Sequence, residues 1–313
     1  MPYDILMAVK MPFAVGGIKE GIIEHLENAL ATWNKYLSEI WQLLTTSPTQ
    51  FRGDGSTPTS AIWRIIVHVH SGLQGIGIGL LVLFFVFGII HTCSSFTELK
   101  RPEVGVKLFV RFALAKLAIT NGMEFMMNII NFVQGVINQK LSSDLEFALR
   151  YVGLTGAPTR TRLPTEVVDA IISMTFSDFF DEIGMWLITL IGGLFVTVLS
   201  FIMLMTVYGR FFKLYMYIAV SPMMLSTFAA ESTQNVGKGF AKNFIAVCLE
   251  GVIIVVACII FTVYSASSPF TFDPSASAST IVWEYILELI LNLLVLVGSV
   301  KMCDRIVKEM MGQ

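Results

Sequence analysis

The chain has 313 residues, 55% of them hydrophobic and only 14% charged, with a mean hydropathy of +0.72. An ordinary globular domain carries roughly 25% charged residues, so this composition lacks the polar cover of a water-facing surface and excludes a soluble enzyme, a secreted mini-protein or a disordered chain. Lysine and arginine total 21 against 23 acidic residues, a net charge of −2, so bulk attraction to nucleic acid is not the organising force. The four cysteines (Cys93, Cys248, Cys258 and Cys303) form neither a CxxC pair nor a disulfide framework. The expected class is all-α: a polytopic helical membrane protein.

Met1–Val15 is mildly apolar with Lys10 in its middle and does not read as a signal peptide. Over Gly16–Leu44, Ile18, Ile22, Leu26, Leu30, Trp33, Leu37, Ile40 and Leu44 recur in steps of three and four, while Glu20, Glu24, Glu27, Lys35 and Glu39 take other faces. This is an amphipathic helix, lying on the bilayer, on its own neighbours or on a partner. A Pro/Gly/Ser/Thr-rich linker, Thr45–Ser60, closes this first region, residues 1–60, before a transmembrane domain over 61–313.

Five segments can cross the ~30 Å of hydrocarbon that takes ~20 helical residues: Gly72–Ile90, Leu108–Ile137, Ile183–Tyr208, Asn243–Tyr264 and Val282–Cys303. A sixth, Phe211–Ala229, is interrupted by Ser221-Pro222, where the proline removes a backbone donor. Charge suggests how to treat it. If Phe211–Ala229 enters and returns on one side, then Thr92–Lys116, Gly209–Lys242 and the tail from Lys301 share one face. Basic residues there, among them Lys100, Arg101, Lys107, Arg210, Lys213, Lys238 and Lys242, outnumber acidic ones, as expected of a cytoplasmic face. The expected layout is therefore five crossings of the cell membrane with a re-entrant or interfacial segment, the N-terminus outside and the C-terminus cytoplasmic. The loop over 138–182 is then extracytoplasmic.

Carboxylates inside the spans cost roughly 2.5–3.5 kcal/mol each if they face lipid, so Glu124, Glu250, Glu284 and Glu288 should face protein or water. Asn121, Glu124, Asn128 and Asn131 make one polar stripe, and Glu284, Glu288 and Asn292 another. Such stripes suit a bundle interior, a subunit interface or a wet lumen, with interhelical hydrogen bonding the simplest role. Glu250 is the strongest single functional candidate, although pairing with Arg111 or Lys116 explains it more simply. Gly75 and Gly79 form a GxxxG pair and Gly192-Gly193 a second small-residue site, both suited to close helix packing. No nucleotide-binding, metalloprotease or hydrolase motif is present, and no enzyme, cofactor or metal is expected.

The stretch from Arg210 through Ser221-Pro222 to Leu225, followed by Lys238-Gly-Phe-Ala-Lys-Asn-Phe244 and another span, resembles the TrbL-like family, the polytopic inner-membrane component of conjugative type IV secretion systems. Leu99–Phe112 is similar to the version found in conjugative elements of Gram-positive bacteria. The likeness covers roughly Gly72–Val307. It implies a non-enzymatic channel or scaffold subunit in DNA transfer, assembling with other secretion membrane subunits and secretion ATPases. A passage for single-stranded DNA in transit is wider than one five-helix chain can enclose, so a homo-oligomer or partner proteins are expected, the inner basic residues meeting phosphates or, more simply, anionic lipid headgroups. The alternative from the residues themselves is an ion or solute transporter using Glu124, Glu250 and Glu288; a weaker one is a membrane anchor that docks a cytoplasmic ATPase.

Overall fold

A computed structural model describes residues 17–53, 59–93, 102–141, 143, 163–173, 179–267 and 277–312. Among these, regular structure is entirely helical: α1 (Ile18–Thr45), α2 (Ala61–Cys93), α3 (Pro102–Thr120), α4 (Gly122–Val136), α5 (Thr165–Ser173), α6 (Phe179–Leu225), α7 (Gln234–Ser267) and α8 (Ala278–Met310). Short 3-10 turns occupy Pro48–Gln50 and Ser226–Ala229, and a π-helical turn extends α4 over Ile137–Leu141. Among the described residues, four stretches are long and apolar enough to cross a membrane: Ala61–His91, Ile183–Ala229, Gln234–Tyr264 and Ser279–Met310. These are the marks of a multi-pass membrane protein.

Two compact units are threaded by the long helices. The first comprises Met1–Gln42, Ser142–Val207 and Ile254–Met302. Here α1 behaves as its periodicity requires. Ile22, Leu26 and Leu30 are buried against Val167 and Ile171 of α5, Met185 of α6, and Val282, Tyr285 and Ile286 of α8. Glu20, Glu24, Glu27 and Lys35 line the exposed face. A Cβ at Gly192 would lie 2.7 Å from Ile286 Cγ2, and one at Gly193 3.6 Å from Ala29 Cβ, so this glycine pair marks where α6 meets α8 and α1. Lys19 Nζ donates to Ile172 O at 2.8 Å, closing one of the orphan carbonyls at the end of α5.

On the same helix His25 packs edge-on against Trp186, ring centroids 5.7 Å apart. Burial lowers its pKa below the ordinary 6.5, opposed by the charge of Glu24. The unfolded chain therefore takes up the proton first as pH drops. The stability contributed by neutral His25 is complete above about pH 6.5 and is lost through the window below it. Replacing His25 by Phe should flatten that acid limb. Tryptophan-monitored unfolding of both proteins between pH 7.5 and 5 checks this, and identical limbs would show that His25 is not its source.

The second unit comprises Leu43–Leu141, Tyr208–Ile253 and Cys303–Gln313. Its apolar centre joins Leu81 of α2, Ala115 and Ile119 of α3 and Ala229, with Phe84, Phe85, Phe112, Leu225 and Phe228 around them. The expected second span, Leu108–Ile137, is two helices. The chain leaves helical geometry at Asn121 (φ −103°, ψ 11°), while Gln74 Nε2 donates to the terminal carbonyls of α3, Ile119 O at 3.3 Å and Thr120 O at 3.5 Å. Gln134 Nε2 does the same for α1, donating to Leu44 O at 2.9 Å. Part of the expected linker is held firmly. Phe51 stacks on Phe211 at 4.4 Å, Tyr215 donates its hydroxyl to Pro48 O at 2.7 Å, and Arg52 Nη2 donates to Tyr208 Oη at 2.7 Å. Residues 43–53 accordingly belong with the second unit rather than with the bulk of α1.

The expected break at Ser221-Pro222 does not occur, because Pro222 lies inside α6, which continues to Leu225. Proline at 222 leaves the carbonyl of Ile218 without its i+4 amide. Two side chains replace it: Ser221 Oγ donates to Ile218 O at 2.8 Å, and His70 Nδ1, from α2, donates to the same oxygen at 2.9 Å. A carbonyl only accepts, so the Nδ1–H tautomer is required. Gly77, two turns along α2, lies against the carbonyl of Pro222 itself.

Candidate functional site

Five charged residues of α6, α7 and α8 in the second unit converge on one cluster. Arg210 and Lys213 are neighbours on one face of α6, and Asp304 and Lys308 are one turn apart on α8. Glu250 of α7, 2% exposed, completes the group. Lys213 Nζ donates to Asp304 Oδ1 at 3.0 Å and stands 3.8 Å from Glu250 Oε2. Lys308 Nζ holds the other oxygen of Asp304 at 2.9 Å. Arg210 is itself only 5% exposed, and its Nε donates to Val247 O at 3.4 Å. Its guanidinium fills the space over Gly251, where any Cβ would collide with it.

Charge complementarity dominates this arrangement. A lone buried ion costs several kcal/mol, and here three cations meet two carboxylates across three helices. Glu250 Oε2 has no hydrogen-bond partner, so its partners act through charge rather than through a fixed donor. The site can lock helices together or hold a proton-bearing carboxylate. Among the described residues, no three His, Cys, Asp or Glu side chains gather as metal ligands.

Several expected roles change. Glu250 is paired with Lys213, not with Arg111 or Lys116; Arg111 instead donates from Nη1 to Glu231 Oε2 at 2.9 Å. That hydrogen bond, with the charges of Arg111, Lys107 and Lys238, lowers the pKa of the Glu231 carboxyl. Arg210 does not form part of an exposed basic face, being buried in the cluster, whereas Lys107, Lys238 and Lys242 are exposed. Lys100 and Arg101 lie outside the described residues, as does most of the loop over 138–182.

Asn121, Glu124, Asn128 and Asn131 do share one face, and all four are exposed. α4 buries the opposite side, with Gly122, Met126, Ile130, Val133 and Gln134. The stripe therefore does not line the interior of this chain. In the first unit Glu284 is exposed, while Glu288 and Asn292 are half-buried. Gly75 and Gly79 have nothing within 4 Å, so the close approach expected of them is made by Gly77 instead.

Three residues escape a reading by motif: Asp304 and Lys308 in the cluster, and His70 at the proline. Asp304 and Lys308 carry a local signal, the i,i+4 spacing of opposite charges. His70 carries none, since its acceptor lies 148 residues away.

No family model, no curated protein and no solved structure matches the chain.

Proposed function

We propose that this chain is a non-enzymatic channel or scaffold subunit of a conjugative type IV secretion system, working as several copies with partner membrane subunits and secretion ATPases. The observation that carries the reading is the outward direction of the α4 stripe. Asn121, Glu124, Asn128 and Asn131 are exposed beside Phe125 and Phe132, which are 68% and 74% exposed. A carboxylate with three amides is poorly matched to lipid, so this face calls for another protein surface or a water-filled passage shared between copies. The charge cluster also favours assembly over transport, because each of its carboxylates is met by a cation of the same chain.

Five crossings follow if α3 and α4 together make one return crossing and α6 crosses once. The 47 residues of α6 span about 70 Å at 1.5 Å per residue, so it continues past the hydrocarbon edge without turning back. The N-terminus is then outside, and Lys238, Lys242 and the basic tail are cytoplasmic, in keeping with the positive-inside bias.

The rival, a carboxylate-relay transporter, is favoured by one feature, the oxygen of Glu250 that lacks a hydrogen bond. In the second unit Glu124 is exposed while Glu250 is buried, which does not suggest a common path. Complementation of a deletion strain separates the readings. Among variants that still reach the membrane, plasmid transfer should survive Glu250→Gln and fall at least about tenfold in Glu124→Leu/Asn128→Leu. Proton-coupled uptake by the reconstituted protein, abolished by Glu250→Gln, would overturn the proposal.

A further inference from the structure

A second charge cluster lies at the connection between α6 and α7, and its make-up differs from the buried one. Arg111 of α3 holds Glu231 at 2.9 Å, their side chains 22% and 68% exposed. Lys107 lies one turn before Arg111 on α3, and Lys238 one turn into α7; both are exposed and both act on the charge of Glu231. Among the described residues neither lysine has a hydrogen-bond acceptor. Three cations thus surround one carboxylate, and that carboxylate is already engaged by the arginine. The lysines are left as mobile point charges facing outward, well suited to a phosphate.

We propose that Lys107, Arg111 and Lys238 form a binding site for the headgroup of an anionic phospholipid. The surface around the cations decides the occupant. Val106, Phe109 and Val110 alternate with them on α3 and are 63%, 66% and 48% exposed. In a chain whose described residues include apolar helices able to span a bilayer, such surface is satisfied by acyl chains. Cations bordered by it sit at the depth of lipid phosphates. A nucleic-acid strand is the other polyanion to consider, but it tracks a longer groove of cations with stacking rings along it. Here the cations span two helical turns. Glu231 keeps Arg111 oriented and limits the excess to two positive charges, enough for a headgroup without attracting every passing polyanion. This site is independent of the secretion reading and stands or falls separately from it.

The full-length chain in mild detergent, titrated with phosphatidylglycerol or phosphatidylcholine and followed by native mass spectrometry, tests the site. The expected result is preferential retention of phosphatidylglycerol. Lys107→Gln and Lys238→Gln should each weaken it roughly fivefold, the effect of about one basic residue near a charged surface. Glu231→Gln should strengthen it, a change of opposite sign that a folding defect cannot imitate. Equal retention of the two lipids, unchanged retention in the double lysine variant, or weaker retention in Glu231→Gln would each overturn the assignment. Displacement of phosphatidylglycerol by an equimolar single-stranded oligonucleotide would overturn it in favour of nucleic acid.

Discussion

Gly77→Ala should destabilise the protein by about 2 kcal/mol, the middle of the range for overpacking a well-filled contact. A Cβ at position 77 would stand 2.7 Å from the carbonyl oxygen of Pro222 and 2.9 Å from its carbon. Those atoms are backbone within α6, so no side-chain rotation relieves the clash; α2 must move off α6. That movement also draws His70 away from Ile218 O, whose other donor is Ser221. Gly75→Ala and Gly79→Ala are the internal controls. Neither added methyl meets anything within 4 Å, and alanine favours helix over glycine by about 1 kcal/mol, so both should leave stability unchanged or slightly raised. Thermal unfolding in one detergent, followed by circular dichroism, compares the three. Equal losses at all three positions would mean that close approach at Gly77 is not what seats α2.

The larger effect is expected at Arg210. Arg210 is buried and feels the charge of Glu250 without an ion-pair contact to it, and removing a charge that balances another in the interior costs about 3–5 kcal/mol. Arg210→Met keeps most of the volume and removes the cation. It should therefore fall in that range, and Lys213→Met should also destabilise, since Lys213 is paired with Asp304 and with the buried Glu250. Combining Arg210→Met with Glu250→Gln should recover a substantial part of the loss, as it neutralises both the buried cation and the buried carboxylate whose charge it feels. The double-mutant cycle reads the coupling directly. Strict additivity of the two single changes would show that Arg210 serves packing over Gly251 and the bond to Val247 rather than charge balance.

These expectations also mark where sequence reasoning succeeds and fails here. The face of α1 was legible residue by residue, because Ile22, Leu26 and Leu30 obey a local period and burial follows from it. The apolar helices were legible for the same reason, from runs of sequence long enough to satisfy the backbone internally. The errors all involve partners distant in the chain. Pro222 reads as a break only if its orphan carbonyl stays orphaned, and the donor that prevents this, His70, comes from another helix. The GxxxG spacing drew attention to Gly75 and Gly79, yet which glycine meets a backbone depends on where α6 lies, and it is Gly77. Glu250 reads as a charge needing a partner, but Arg111 and Lys116 are as eligible in the sequence as Lys213, which the fold brings to it. The polar stripe from Asn121 to Asn131 kept its helical period across the junction, so the departure at Asn121 left no mark on the pattern.

The buried cluster has a consequence for how the chain is made. Lys213 and Asp304 are separated by 91 residues. With translation at about 5–20 residues per second, the aspartate emerges roughly 5–20 s after the lysine. Until Glu250 emerges, α6 carries Arg210 and Lys213 ahead of either anion of the cluster, and for the rest of that wait Glu250 stands alone beside them. The set is complete only with the last helix. A nascent chain stalled before residue 304 would present the insertion machinery with cations in excess over a single carboxylate, a mark by which unfinished copies can be told from complete ones.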